Sequence, residues 1–243
     1  MAMQIIKLTN TDSTNDFLLK MASEQPLWEG VAVSDYQSNG KGMGSNKWES
    51  EPGKNLLFSI LLHPTWLPIH NQYLLSMAEA IAICEVLRQY AQGITIKWPN
   101  DIYWEDSKLS GTRIDANING RGINDMIIGT GININQEVFI SDAPNPTSLL
   151  LITKKEQDKD EILRRILERF THYYNILKSG QTDVIQSKYH EYLYRREGLY
   201  NYRDTHGVFS AEIKRVMPNG TLQLKTKDGE HKEFMFKEVE FII

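Results

Sequence analysis

The residues best able to do chemistry stand close together between positions 97 and 111. They read Lys97-Trp98-Pro99-Asn100-Asp101 and, after a short gap, Lys108-Leu109-Ser110-Gly111. Two lysines, an amide and a carboxylate within a dozen residues can offset negative charge and orient a reacting group. Individually they have simpler interpretations, since Trp98 could be a core residue and Asn100-Asp101 a turn after the proline. Their concentration predicts a site that handles anions.

A glycine-rich stretch is the second candidate. It reads Gln37-Ser-Asn-Gly-Lys-Gly-Met-Gly-Ser-Asn-Lys-Trp48. Three glycines within five residues let the backbone turn sharply and point successive N–H groups at an anion, and two lysines add positive charge. The spacing is neither that of a P-loop nor that of a dinucleotide fingerprint. We predict a phosphate or carboxylate site here, with a flexible surface loop as the alternative.

A third stretch, 129–135, reads Gly-Thr-Gly-Ile-Asn-Ile-Asn. In a strand, Asn133 and Asn135 would share one face, while Ile132 and Ile134 would share the other. Two amides on an otherwise apolar strand need partners, which either a ligand or the backbone of a neighbouring loop would supply.

Several other chemistries find no support in the sequence. The six histidines show no metal-ligand spacing, and there is no Gly-x-Ser-x-Gly elbow for a serine nucleophile. The single cysteine, Cys84, falls in a helical apolar stripe and is predicted to be a core residue. Lysines and backbone amides instead indicate charge stabilisation of a reaction whose nucleophile belongs to the substrate.

Alternating strand and helix patterns must position these stretches. Strands are predicted at 4–8, 31–36, 56–62, 94–98, 108–114 and 126–135. Helices are predicted from Ser13 or Thr14 through Ala22, and at 73–90, 160–177 and 182–194. The unbroken apolar run 56–62 predicts a strand buried on both faces. Beyond Arg195, short glycine-punctuated runs predict a small all-β unit, which divides the chain into domains 1–194 and 195–243.

The composition of the 243 residues is that of a soluble globular protein, with 41% hydrophobic and 24% charged residues. A net charge of −4 argues against a surface built to bind DNA or RNA. The lone cysteine fits a reducing compartment, and no stretch approaches the ~20 apolar residues of a membrane span. No signal-peptide pattern opens the sequence, so we expect a cytoplasmic protein without nucleic-acid or membrane partners.

Together these segments resemble the biotin protein ligase family, in the same order along nearly the whole chain. The family's Ser-Thr-Asn, glycine-rich biotin loop, Lys-Trp-Pro-Asn-Asp motif and Gly-x-Gly-Ile-Asn motif match 13–15, 37–48, 97–101 with Lys108 and Gly111, and 129–133. The resemblance implies an α+β fold, in which helices flank a mixed β-sheet, with a small C-terminal SH3-like β-barrel. It is specific because the Lys-Trp-Pro-Asn-Asp run is matched in full.

The resemblance also implies a reaction. Biotin and ATP, with Mg²⁺ held mainly by the ATP phosphates, would form biotinyl-5′-adenylate and pyrophosphate. A lysine on the biotin carboxyl carrier domain of a carboxylase would then take the biotin. The short stretch before Gln4 implies a form without an N-terminal DNA-binding domain, acting as a monomer or homodimer.

Site residues follow from the motif matches. The implied catalytic set is Lys108, Lys97 and Asp101. The implied biotin-binding set is Ser13, Thr14, Asn15, Gln37, Gly40, Lys41, Gly42, Met43, Lys108 and Gly111. The implied ATP and adenylate set is Trp48, Lys97, Asn100 and Asn133. Lys108 would contact the biotin carboxylate and the reacting phosphate, while Asp101 would orient a lysine or position the incoming amine.

The glycine-rich stretch departs from the family at its arginines. The family reads Gly-Arg-Gly-Arg-x-Gly-Arg-x-Trp, whereas the arginine positions here hold Lys41, Met43 and Asn46. The third glycine position holds Ser45. Lysine does not replace the bidentate fork of arginine, so we expect this loop to close less tightly over the adenylate, with Lys47 in partial compensation.

Two other functions stay open at this point. A lipoate or octanoate ligase or transferase shares the Asn-Asp…Lys…Gly stretch, but Lys97-Trp98-Pro99 and the loop at 40–48 favour biotin. A non-catalytic biotin or nucleotide sensor would explain the missing arginines, yet it would not need both lysines with Asn100 and Asp101.

Overall fold

A mixed seven-stranded sheet forms the centre of the computed structural model, which describes residues 3–42, 44, 46–120, 122–141 and 143–243. Its strands are β1 Gln4–Thr11, β2 Gly30–Gln37, β3 Leu56–Leu62, β4 Ile94–Lys97, β5 Asp101–Trp104, β6 Ser107–Asn119 and β7 Gly122–Ile132. The spatial order is β1-β2-β3-β7-β6-β5-β4. β1 and β2 are parallel, and the other neighbours are antiparallel.

Helices cover both faces of this sheet. They are α1 Thr14–Glu24, α2 Tyr73–Leu87, α3 Leu149–Thr153, α4 Lys159–Lys178 and α5 Thr182–Glu191, with a 3₁₀ turn at Ile69–Asn71. α1 packs on one face, while α2 lies on the other and is itself covered by α4 and α5. Because nearly every side of α2 is enclosed, most of its residues are apolar, and Cys84 is fully buried in it as predicted.

A second, antiparallel sheet follows the helices. Its strands are β8 Tyr200–Asp204, β9 Gly207–Val216, β10 Leu222–Thr226, β11 His231–Phe234 and β12 Glu240–Phe241, in the order β11-β10-β9-β8-β12. The α+β fold with a small C-terminal β unit is thus confirmed. The pairings among the described residues give a linear order, so closure into an SH3-like barrel stays a prediction, as does the domain boundary at 194/195.

The two sheets meet at the Lys-Trp-Pro-Asn-Asp motif. The Trp98 indole Nε1 donates to the Gly220 carbonyl at 2.9 Å, and its ring stacks on Phe241 with centroids 6.5 Å apart. Trp98 is 4% exposed. It is therefore a core residue, and that core joins the Lys-Trp-Pro-Asn-Asp motif to the C-terminal sheet.

Most predicted elements are present, and strand 56–62 is buried along its whole length as predicted. The prediction that Asn133 and Asn135 share a strand face is wrong, because β7 ends at Ile132. The Asn133 amide donates to the Thr147 carbonyl at 2.9 Å, and Asn135 bonds the backbone of Gln157 at 2.9 Å in both directions. Loop backbone, the alternative to a ligand, supplies these partners.

Two element boundaries differ from the prediction because contacts with β4 determine them. The chain after Pro99 forms β5, which folds back on β4 so that Asp101 pairs with Lys97. Helix 182–194 ends early, at Glu191, because Tyr192 and Tyr194 bond both backbone groups of Ile96 at 2.8 and 2.9 Å. That contact covers the outer edge of β4. No helix in the described ranges is long and apolar enough to cross a membrane.

Candidate active site

A cavity of about 570 Å³ opens on the face of the sheet that also carries α1. Twelve of the predicted site residues line it: Ser13, Thr14, Asn15, Gln37, Lys41, Gly42, Trp48, Asn100, Asp101, Lys108, Gly111 and Asn133. Lys97 and Gly40 do not line it, and Met43 falls outside the described residues. The structure therefore brings together four segments that are far apart in sequence.

An ion pair forms part of the cavity wall. The Lys108 ammonium on β6 contacts the Asp101 carboxylate on β5 at 2.7 Å, with side chains 30% and 21% exposed. A Cβ on Gly111 would come within 3.3 Å of that ammonium, so glycine leaves room for the lysine to lie flat along the strand. Of the two predicted roles for Asp101, this contact fits that of orienting a lysine.

Lys97 packs against aromatic rings outside the cavity lining. Its ammonium lies over the rings of Tyr103 and Phe241, 5.0 and 5.1 Å from their centroids. Burial lowers the pKa of Lys97, and nearby Lys108 adds to the effect, while Asp101 opposes it. Lys97 thus lies behind Tyr103, which itself lines the cavity.

Two buried tyrosines fix the turn between Lys97 and Asp101. The hydroxyls of Tyr73 and Tyr189 both contact the Pro99 carbonyl, the latter at 2.6 Å. The Asn100 amide donates to the Ser76 hydroxyl at 3.2 Å. These contacts hold the motif rigidly against α2 and α5, and sequence patterns gave no sign of them, because tyrosines on apolar helical faces also occur in ordinary cores.

The start of α1 carries a preformed polar cluster. Thr14 donates to the Gln37 side-chain carbonyl twice, from its backbone at 2.7 Å and its hydroxyl at 2.9 Å. The Ser59 hydroxyl on β3 lies 2.6 Å from both the Thr14 hydroxyl and the side-chain amide oxygen Oδ1 of Asn15. Ser13 caps the helix by accepting from the Asp16 backbone. Ser59 was missed because it stands in an otherwise unbroken apolar run.

In the glycine-rich stretch, residues 40–42 and 46–48 face each other as the two arms of a short hairpin, in which Lys41 pairs with Lys47. Gly42 N–H donates to the Asn46 carbonyl at 2.7 Å, and Trp48 N–H donates to the Gly40 carbonyl at 2.9 Å. The prediction that successive amides face an anion is therefore wrong for these two. The glycines instead allow close backbone approach, since a Cβ on Gly40 would lie 2.8 Å from the Trp48 carbonyl.

The hairpin ends against the strands beneath the cavity. The Trp48 indole covers Gly131, where a Cβ would come within 2.3 Å of the ring. Two buried atoms in this region, Trp48 Nε1 and Asn133 Oδ1, have no hydrogen-bond partner among the described residues. A buried donor and a buried acceptor without partners are costly unless a ligand satisfies them.

A second loop, described at residues 139–141 and 143–146, contacts Glu49, the residue that follows the hairpin. Its carboxylate accepts from the backbone amides of Ile140 and Ser141 at 2.8 and 2.9 Å. Partial burial raises the Glu49 pKa, but the bonds from Ser141 and Ile140 outweigh it and leave the pKa lowered. Several residues of this loop line the cavity.

β6 contributes two charged residues that the sequence interpretation missed. Arg113 lines the cavity, and its guanidinium bonds both carboxylate oxygens of Asp115 at 2.8–3.1 Å. Their spacing was the available signal, since residues 113 and 115 share a strand face with Gly111. In the described part of the chain, no group of three or more His, Cys, Asp or Glu side chains is placed to hold a metal ion.

Residues 5–133 match the model of the biotin/lipoate A/B protein ligase family. The chain is 27% identical over 206 residues to the "Bifunctional ligase/repressor BirA" of Bacillus subtilis (strain 168), covering 82% of this chain and 62% of that protein. It is 25% identical over 169 residues to the "Biotin--[acetyl-CoA-carboxylase] ligase" of Mycobacterium tuberculosis, covering 68% of this chain and 61% of that protein.

The fold is also similar to a solved structure, "Biotin protein ligase from Aquifex aeolicus in complex with biotin and ATP". The TM-score is 0.80 at 25% sequence identity, and the match covers 98% of this chain and 97% of the other. By contrast, the chain spans less than two thirds of the length of the Bacillus and Mycobacterium relatives.

Proposed function

The chain belongs to the biotin/lipoate A/B protein ligase family, and we propose that it is an ATP-dependent biotin–protein ligase. One observation carries the proposal: the Lys108–Asp101 ion pair, the α1 polar cluster and the unpartnered Trp48 and Asn133 atoms surround a single cavity. This arrangement offers a cation between a polar pocket on one side and a ring-binding surface on the other.

In the first step, a biotin carboxylate oxygen attacks the α-phosphorus of ATP, and pyrophosphate leaves. Both reactants are anions, so the site must offset their repulsion while holding them in line. Lys108 is placed to do so, because Asp101 fixes its ammonium at 2.7 Å and neutralises it only in part. Lys97, behind Tyr103, supports this field at longer range.

Biotin's ureido head would occupy the pocket at the start of α1. Ser13, Thr14, Asn15 and Gln37 are polar and nearly enclosed, and three of them are below 10% exposed. Their mutual hydrogen bonds fix their geometry before the ligand binds, which lowers the entropic cost of binding. Gly42, Lys41 and Gly111 border the rest of the ligand.

The adenine would lie beside Trp48 and Asn133. Adenine carries both an exocyclic amino donor and ring-nitrogen acceptors. It can therefore satisfy the unpartnered Asn133 Oδ1 and Trp48 Nε1 at once. Asn100 and Asp101 are oxygen donors of the type that Mg²⁺ takes, and Mg²⁺ carried by the ATP phosphates would neutralise part of their charge there.

In the second step, a lysine amine of the acceptor attacks the acyl carbon of biotinyl-5′-adenylate, and AMP leaves. We assign the acceptor as a biotin carboxyl carrier domain and the location as the cytoplasm. The net charge of −4 supports a protein partner over a nucleic acid.

Incubation of the chain with a carrier domain, biotin and MgATP, followed by streptavidin blotting, tests the proposal. We expect labelled carrier, and we expect biotin-dependent exchange of pyrophosphate into ATP. Exchange with lipoate or octanoate but not biotin would reassign the chain to the other branch of its family. Biotin binding without exchange or labelling would make it a sensor.

A further inference from the structure

A ring of hydrogen bonds and ion pairs joins the hairpin to α1 and to β6. We call it the Arg113 circuit, and its members are Asn15 and Asp16 on α1, Lys41 and Gly42 on the hairpin, and Arg113 and Asp115 on β6. The reaction proposed above leaves Arg113, Asp115 and Asp16 without a role. Each nevertheless contacts a residue of the cavity wall.

Arg113 makes the strand side of the circuit. Its Nε and Nη2 donate to the Asp115 carboxylate at 2.8–3.1 Å, and its Nη1 donates to the Gly42 carbonyl at 3.4 Å. A guanidinium can do both at once because its five N–H donors are fixed in one plane. The ammonium of a lysine could not make the same forked contact.

α1 makes the other side. The Asn15 amide donates to Asp115 at 2.8 Å, and the Asn15 carbonyl oxygen accepts from Ser59 at 2.6 Å. Lys41 then returns to α1 through Asp16 at 2.6 Å. The hairpin thus contacts α1 directly through Asp16 and β6 directly through Arg113, while Asn15 contacts Arg113's partner Asp115.

The Arg113–Asp115 contact is the stronger part of the circuit. Partial burial raises the Asp115 pKa, but hydrogen bonds from Arg113 and Asn15 outweigh it, so the pKa is lowered and the carboxylate stays ionised. The Lys41 and Asp16 side chains are 36% and 45% exposed, so solvent partly screens their pairing.

We propose that Arg113 is a positioning residue that fixes the two arms of the hairpin over the ligand and slows release of the bound adenylate. Asp115 orients the guanidinium, and the Gly42 carbonyl accepts a hydrogen bond from it. The statement about the ligand rests on the proposed ligase function, whereas the statement about the hairpin does not. Contrary to the expectation from the loop sequence, the hairpin would be anchored by an arginine from a neighbouring strand.

Trypsin provides a readout that needs no activity, because Lys41 and Lys47 are cleavage sites on either side of the hairpin tip. Variants Arg113→Ala, Arg113→Lys and Asp115→Asn are compared with the parent by mass spectrometry of the early products. We expect cleavage at these two sites to be about 5-fold faster in Arg113→Ala, the effect of losing one hydrogen bond of ordinary strength. Arg113→Lys should fall between, and Asp115→Asn should follow Arg113→Ala in direction.

Arg164→Ala is the matched control, since Arg164 also forms a forked ion pair, with Glu161, but on exposed α4 far along the chain. It should be cleaved at the parental rate. Circular dichroism confirms that each variant is folded. A folded Arg113→Ala that trypsin cleaves at the parental rate would overturn the proposal.

Release of preformed biotinyl-5′-adenylate is the second readout, and we expect it to accelerate in the same order as cleavage. Faster cleavage with unchanged release would overturn the ligand part of the proposal. If even the parent forms no adenylate, the ligase function fails, while the trypsin result still decides whether Arg113 holds the hairpin.

Discussion

Lys108 and Asp101 combine two requirements that usually conflict in a site for anions. A bare ammonium would attract substrate strongly but move freely, whereas a fully buried ion pair would be rigid but neutral. Here the contact is 2.7 Å and both side chains stay partly exposed, so the lysine is oriented and keeps N–H donors for a substrate.

Replacement of Lys108 tests this interpretation directly. We expect Lys108→Ala to lower the rate of biotin-dependent pyrophosphate exchange by about 100-fold to 1,000-fold, as for other lost charge-stabilising donors. Asp101→Asn should cost less, since its amide oxygen can still accept from the lysine. Lys188→Ala, which breaks the exposed pair with Glu191 on α5, is the control. Exchange at the parental rate in Lys108→Ala would exclude the lysine from the first step.

Glu79 on α2 is a buried acid on the opposite face of the sheet. Its carboxyl is fully buried and contacts the hydroxyls of Thr112 on β6 and Thr130 on β7. Burial raises its pKa to about 7, although both hydroxyls oppose the shift. Neutral hydroxyls cannot balance a carboxylate charge, so Glu79 is protonated in the fold at mildly acidic pH.

This raised pKa makes stability depend on pH. Below pH 4.5 Glu79 is protonated in both the folded and the unfolded chain, and burial of the acid carries no charge penalty. As pH rises toward 7, the unfolded chain releases its proton first, so the fold loses stability, by about 3 kcal/mol once above both pKa values. Above pH 7 the loss stays constant.

Glu79→Gln should remove this dependence. We expect its free energy of unfolding, relative to the parent, to increase between pH 5 and pH 8 by up to about 3 kcal/mol. Urea titrations at the two pH values measure the difference, and other titrating groups cancel because both proteins share them. A difference that is the same at pH 5 and pH 8 would show that Glu79 is already ionised in the fold.

Gly129 and Gly131, two alternate residues of β7, determine how closely α1 and the hairpin approach the sheet. A Cβ on Gly129 would lie 1.7 Å from the side-chain amide oxygen Oδ1 of Asn15. A Cβ on Gly131 would lie 2.3 Å from the Trp48 ring. α1 and the hairpin can therefore lie directly on the backbone of β7. The polar pocket and the ring-binding surface both depend on this approach.

Gly129→Ala should push Asn15 and the start of α1 away from the sheet. We expect a loss of about 1–3 kcal/mol in the free energy of unfolding, typical of overpacking, and a weaker affinity for biotin. Gly120→Ala, where a Cβ would meet nothing within 4 Å, is the control. Urea unfolding and a biotin titration measure the two effects. Parental values for both in Gly129→Ala would contradict the close approach.

At this scale the sequence predicted the elements well and their contacts poorly. Strand 56–62 and the helix beginning after Ser13 follow from local patterns of burial and capping, which the chain carries within a few residues. β5 was missed because a short strand after a proline looks like a turn. It forms only since β4 and β6 flank it.

The candidate site divides in the same way. Lys108 and Asp101 were predicted because they stand 7 residues apart in a recognisable motif. Tyr189 was not, since it reaches Pro99 from 90 residues away on an apolar helix face. Arg113 was missed because the direction of a strand side chain depends on register, which local sequence does not fix. Glycines at 129 and 131 likewise gained meaning only from what packs against them.

At the scale of the whole molecule, the C-terminal sheet completes the site as well as the fold. Phe236 lines the cavity, and its ring lies edge-on to Trp98, with centroids 6.4 Å apart. Phe241 sits deeper, 7% exposed, against Trp98, Tyr194 and Tyr202. Two aromatic rings from one unit thus occupy different environments: Phe236 lines the cavity, and Phe241 packs in the core between the two sheets.

Substituting alanine for Phe236 and for Phe241 should distinguish the roles of the two rings. Phe241→Ala should lower the free energy of unfolding by about 3–5 kcal/mol, as for other buried phenylalanines. Phe236→Ala, at a position 38% exposed, should leave stability nearly unchanged. We expect it to raise the KM for ATP about 10-fold, because the Phe236 ring lines the cavity. If Phe236→Ala instead lost as much stability as Phe241→Ala with an unchanged KM, the C-terminal sheet would support the catalytic domain without contributing to its site.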